Sequence, residues 1–188
     1  PVALDESVRE AATAIERAGG DLLSTSEAVR QFHGAVDPHD AGDEPVDVVA
    51  AVDRALESLR VTHPSTRFEV DCPETARAWG DEALALAVEE LLDNAAEATD
   101  GEAERVEVSV TDDPERGVVE VAVADEGPGL DADGRRALAR GAETPLEHTM
   151  GLELWLVRWA VENADGDMYV ADNDPHGTVV TVRLRRAE

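Results

Sequence analysis

Lysine is missing altogether: every one of the 16 basic residues in this 188-residue chain is arginine. Cysteine is nearly missing, with Cys72 alone, so no intrachain disulfide framework holds the fold. Aromatic residues make up 3% of the chain, which leaves Val, Leu and Ala to fill a core. No apolar run approaches the ~20 residues of a membrane-spanning helix, and no signal-peptide pattern opens the chain. We therefore expect a soluble, cytoplasmic protein without direct membrane contact. It opens on Pro1 rather than Met, so a piece of a longer protein is expected.

What is present in excess is acid. Asp and Glu number 43, and the formal net charge is −27. A field of that sign repels nucleic acid and anionic lipid, which excludes general nucleic-acid binding. Two origins compete: an acidic interaction surface, or adaptation to very high salt. The acids are spread along the whole chain and interrupt apolar-patterned segments, which favours salt adaptation of the kind seen in salt-loving archaea. With 43% hydrophobic residues the chain is no disordered acidic tail.

Along the chain, Leu4, Val8, Ala11, Ile15, Ala18, Leu22, Val29, Phe32 and Val36 follow steps of four and three, with Thr25 at the one polar step. This 3.5-residue period predicts a bundle or coiled-coil helix, interrupted at Gly19–Gly20. Residues 37–46 read as a linker rich in helix breakers. A helix is predicted over about 47–60, then a short strand carrying Phe68, Val70 and Cys72. A second helix is predicted over about 81–99, with Leu84, Val88, Leu91, Ala95 and Ala98 as its apolar stripe. At about 100° per residue, Asp93 lies nearly opposite that stripe, and Glu89 and Glu97 also face water. Glu90 and Asn94 sit on its flank, one turn apart, placed to look into a pocket beside the core.

Two strands follow, with alternating valines at 106, 108 and 110 and at 119, 121 and 123, joined by a turn over 112–117. The second runs straight into Asp125-Glu-Gly-Pro-Gly129. Residues 130–150 fit a mobile loop with a short helix. A buried helix is predicted from Gly151, and strands over about 167–172 and 178–184 end the chain. The expected fold is α+β: a two-layer sandwich with a mixed, mostly antiparallel sheet and helices on one face. We divide it into a bundle helix plus linker at 1–42 and a globular domain at 43–188.

Asp-x-Gly-x-Gly alone reads equally as an acidic turn, and a Glu and an Asn four apart are common on an acidic helix. Together, in this order and in these structural settings, they are far more specific. The set resembles the ATP-binding domain shared by gyrase, heat-shock chaperone, histidine kinase and mismatch-repair ATPases, and within that group the catalytic domain of a sensor histidine kinase of haloarchaeal type. Glu90-Leu-Leu-Asp-Asn94 is similar to the N box, Asp125-Glu-Gly-Pro-Gly129 to the first glycine box, and Thr149-Met-Gly151-Leu152-Glu-Leu to the second; Gly177-Thr178 resembles the strand entry beside adenine. The resemblance covers roughly 45–188. The N-terminal helix is similar to the second helix of the family's dimerization and phosphoacceptor hairpin.

The resemblance implies ATP and Mg²⁺ as ligands, a response-regulator receiver domain as partner, and a homodimer through the N-terminal helix. Asp125 would accept a hydrogen bond from the exocyclic amine of adenine, where the carbonyl of guanine would set acceptor against acceptor. Gly127 and Gly129 would let backbone pass close to the base. Asn94 would offer its carbonyl oxygen to Mg²⁺; Glu90 would be the catalytic base or a second metal ligand. Thr149, Gly151 and Leu152 would meet phosphate at a helix N-terminus, and Thr178 the adenine edge. With no lysine, Arg135, Arg136, Arg140 and His148 are the phosphate-contact candidates.

The second glycine box keeps one glycine of its usual set, with Thr149 and Glu153 at the other two positions. No His stands in a phosphoacceptor setting: His39-Asp40 lies in the linker, and His33 near the end of the first helix. We expect the acceptor His on a helix N-terminal to this chain, in a larger or membrane-anchored sensor. The rival readings are an ATPase or Ser/Thr-kinase switch of the same fold, and a non-catalytic nucleotide-sensing dimerization module.

The charge generates the first prediction. At about 0.01 M salt the screening length is roughly 30 Å, so nearly all the acids repel one another; at molar salt it is about 3 Å. The melting temperature followed by circular dichroism should rise steeply from low to molar KCl. A flat or falling series would make the acids an interaction surface instead.

Overall fold

The computed structural model describes residues 44–99, 105–129 and 152–188. Within them run, in chain order, β1 (Glu44–Asp47), α1 (Val48–Thr62), β2 (Arg67–Asp71), β3 (Arg77–Gly80), α2 (Glu82–Ala98), β4 (Arg105–Asp113), β5 (Val118–Asp125), α3 (Leu152–Asn163), β6 (Asp167–Asp172) and β7 (Thr178–Arg185). The predicted N-terminal bundle helix and the loop over 130–150 lie outside the described residues.

Five strands form one sheet in the order β2-β4-β5-β7-β6. Only the β2–β4 pairing is parallel; β4–β5, β5–β7 and β6–β7 are antiparallel. Alternation is clean: Val106, Val108, Val110, Val119, Val121, Val123, Val180, Val182 and Leu184 all point inward and are buried. The two-layer α+β expectation holds.

The helices begin where the sequence offers an acceptor for their first amides. Asp47 Oδ1 accepts from Val49 N and Ala50 N at 3.1 and 3.3 Å, and Asp81 Oδ1 from Ala83 N and Leu84 N at 3.0 and 3.3 Å. Each such cap contributes about 1 kcal/mol. α2 then lies between α1 and α3 and also meets β5.

That position widens its buried face beyond the expected stripe. Ala83, Ala85, Ala87, Leu92 and Ala96 are buried along with Leu84, Val88, Leu91 and Ala95, whereas Ala98 is half-buried. A helix packed on two sides as well as beneath has little surface left for water. Asp93 and Glu89, expected in water, are accordingly half-buried, and Asp93 Oδ1 lies 3.4 Å from His63 Nε2 at the end of α1.

Four features differ from expectation. The last residues of the expected linker form β1, which pairs antiparallel with β3, and β3 itself was not foreseen. Both are four residues long, and Pro45 in one and Gly80 in the other break the run of strand-forming residues that would mark them. Arg185 stacks over Trp79 of β3, 5.4 Å from the ring centroid, and so ties this small sheet to the large one. Cys72 falls one residue past β2, half-buried. The expected 112–117 turn tightens to 114–117, where Asp113 Oδ1 accepts from Glu115 N and Arg116 N at 3.0 Å and Gly117 takes a φ of 69°.

Leu92, fully buried, is the sharpest test of the widened face. Leu92→Ala should destabilise by about 2–5 kcal/mol in denaturant unfolding, and Glu57→Ala on the exposed side of α1 by no more than about 0.5 kcal/mol.

Candidate functional site

Strand alternation builds the centre of the site. Along β5 the inward positions are Val119, Val121, Val123 and then Asp125. The strand thus delivers a carboxylate where its own pattern calls for another core side chain, and Asp125 is only 6% exposed. This is no solvated acidic turn. Burial pushes the Asp125 carboxyl pKa above its ordinary value, and hydrogen bonds from Gly127 and Thr178 oppose that rise without cancelling it. Gly127 N and Thr178 N donate to Asp125 Oδ1 at 2.9 and 3.2 Å, which anchors that oxygen. An ionised carboxylate has roughly four acceptor sites, so capacity remains for a ligand.

Beside it lies a cavity of about 180 Å³. Leu91, Asn94, Ala95 and Ala98 of α2 form one wall; Val123 and Asp125 of β5, Pro128 and Gly129 of the following loop, Leu154 of α3, and Thr178 and Val180 of β7 complete it. Apolar walls with a few convergent polar groups are the usual form of a small-molecule site. Gly127 is required by contact: a Cβ there would stand 2.6 Å from Ala98 O at the end of α2. Gly129 is required by conformation, with φ +74°.

Asn94 enters this cavity, as expected. Its Nδ2 donates to Glu90 O at 2.8 Å, which leaves Oδ1 as the atom available to a ligand. Glu90 is half-buried one turn earlier; among the described residues it is Asn94, rather than Glu90, that lines the cavity. The structure therefore brings together Asn94, Asp125, Gly129 and Thr178, with Gly127 bonded to Asp125. Leu152 opens α3. Thr149, Gly151, Arg135, Arg136, Arg140 and His148 lie outside the described residues.

Two braces behind Asp125 were not read from the sequence. Asn173 Nδ2 donates to Asp125 O at 2.8 Å from the β6–β7 hairpin. Arg105 Nε and Nη2 both reach Glu126 Oε1, at 3.2 and 3.0 Å, and Arg105 Nη1 reaches Glu69 Oε2 at 3.3 Å. An Asn in a hairpin of turn formers carries no local signal for either partner, and the Arg105–Glu126 pair spans 21 residues.

The profile for histidine kinase-, DNA gyrase B-, and HSP90-like ATPases matches residues 80–188. The chain is 35% identical over 147 residues to the signal transduction histidine-protein kinase/phosphatase MprB of Mycolicibacterium paratuberculosis, covering 73% of this chain and 27% of that protein. It is 35% identical over 98 residues to the sensor histidine kinase CitA of Klebsiella pneumoniae, covering 50% of this chain and 18% of that protein. It thus spans about a quarter or less of these relatives. Among solved structures, the mycobacterial sensor histidine kinase MprB superposes with a TM-score of 0.64 at 30% identity, over 76% of this chain and 97% of that one. Full-length ShkA, solved in complex with AMPPNP, shares the fold with a TM-score of 0.66 at 22% identity, over 95% of this chain and 39% of that one. The chain belongs to the histidine kinase-, DNA gyrase B-, and HSP90-like ATPase family, and within it to the ATP-binding domains of sensor histidine kinases.

Proposed function

We propose that this chain is the phosphoryl-donating part of a two-component sensor kinase: it binds ATP and presents the γ-phosphoryl to a His on a helix N-terminal to it, from which the group passes to an Asp of a response-regulator receiver domain. The observation that carries the reading is the buried, doubly hydrogen-bonded Asp125 carboxylate beside an apolar cavity. A carboxylate kept ionised in such a place is costly unless a donor meets it, and the exocyclic amine of adenine is such a donor. Thr178 stands beside it for the ring edge, and the apolar walls take the ring faces.

Asn94 fits a divalent cation, because its nitrogen is held by Glu90 O and its oxygen remains. Mg²⁺ would neutralise triphosphate oxygens there. Glu90 would serve as the second ligand or the base. The start of α3 at Leu152, with Thr149 and Gly151, would meet the phosphates through backbone amides, supported by Arg135, Arg136, Arg140 and His148. Two copies would join through the N-terminal helix. The relatives named above are bacterial, and the net charge of −27 is what supports salt adaptation.

Titration calorimetry in molar KCl tests the proposal. Mg²⁺-dependent binding of ATP should exceed that of GTP, and Asp125→Ala should weaken ATP by about 1.5–3 kcal/mol, the value of a charge-assisted hydrogen bond. Equal affinity for the two nucleotides would overturn the assignment.

A further inference from the structure

The antiparallel pairing of β5 with β7 ends at Ala124 and Val179, one residue short of Asp125. Beyond that point the β6–β7 hairpin holds the loop by other means. Asn173 Nδ2 donates to the Asp125 carbonyl at 2.8 Å. The hairpin is held closed behind this bond, because Asn173 N donates to Gly177 O at 3.0 Å. Gly177, with φ +109°, presses its backbone directly on the Asp125 carbonyl, where any Cβ would collide.

The orientation of the Asn173 amide follows from its surroundings. Asp174 N donates to Asn173 Oδ1 at 3.0 Å. A flipped amide would set donor against donor there and acceptor against acceptor at Asp125. One side chain therefore reads the hairpin through its oxygen and the site through its nitrogen. The peptide it grips leads into Gly127, whose N–H fixes Asp125 Oδ1. Rotation of that peptide would carry the Gly127 N–H away from Asp125 Oδ1 and release the carboxylate from its anchor.

We propose that Asn173 is a positioning residue for base recognition, acting through the Asp125 carbonyl to hold the Asp125 carboxylate where an adenine amine meets it. The inference rests on the nucleotide-binding reading above and extends it to a residue that does not line the cavity. A side chain that only closes the hairpin would affect melting and would weaken every nucleotide alike. One that positions Asp125 affects the choice of base, and only while Asp125 is present.

The test is a double-mutant cycle on the full chain in molar KCl, read by calorimetry with Mg²⁺-ATP and Mg²⁺-GTP. Asn173→Asp keeps the bond from Asp174 N and removes the donor to Asp125. Asn173→Ala is the second variant, free of added charge. Both should weaken ATP about tenfold, leave GTP unchanged, and add no further loss in the Asp125→Ala background. Circular dichroism establishes that each variant is folded at the assay temperature, and the ATP-to-GTP ratio is read on whichever is. An unchanged ratio, or an equal loss with and without Asp125, would overturn the role of Asn173. If Asp125→Ala weakens ATP and the Asn173 variants do not, this inference alone fails; if the wild type shows no preference for ATP, the functional reading fails with it.

Discussion

The site depends on a carboxylate placed where the sheet would otherwise bury a hydrophobe. Asp125 occupies the next inward position after Val123 on β5, and water is largely excluded from it. Its raised pKa means that the folded state favours the neutral acid. That preference is complete below the ordinary value and is lost as pH rises through the raised one, so at neutral pH the ionised group works against folding. The amides of Gly127 and Thr178 offset part of this cost. The surrounding braces follow from the same need, since a charge held against desolvation has to be held in one orientation to be useful.

The remainder of the domain supplies rigidity around that point. α2 is clasped by α1 and α3 over the valine face of the sheet, so Asn94 projects from a helix that has no freedom to roll. The β6–β7 hairpin, whose β7 is the strand next to β5, holds the Asp125 peptide through Asn173 and Gly177. Arg105 grips Glu126 from β4 and reaches Glu69 and Glu107 as well. In a chain carrying −27, an arginine among three glutamates also relieves local repulsion, and those glutamates raise the guanidinium pKa further.

What the sequence made legible was whatever repeats within a few residues. Alternating valines gave β4 and β5, and Asp-x-Gly-x-Gly after an inward-facing valine gave the carboxylate and its glycines. The position of Asn94 on the flank of the helical stripe placed it at the cavity, whereas Glu90, one turn earlier, does not line it. The four-residue strands β1 and β3 stayed hidden because Pro45 in one and Gly80 in the other break the run of strand-forming residues. The wider face of α2 stayed hidden because alanines at 83, 85, 87 and 96 bury as readily as they face water, and only the neighbouring helices decide which. Asn173 was illegible for a further reason: its partner is a backbone carbonyl 48 positions away, and a carbonyl has no side-chain identity to read.

Asp125 is desolvated in the free protein, and a donor from the ligand would relieve it. Carbon-13 NMR titration of the Asp125 carboxyl, without nucleotide and with saturating Mg²⁺-ADP, measures this directly. The account predicts a pKa above the ordinary Asp value in the free protein and a clear fall when the nucleotide binds, because a donated hydrogen bond stabilises the ionised form. A carboxyl that titrates at the ordinary value, or one unmoved by saturating nucleotide, would contradict it.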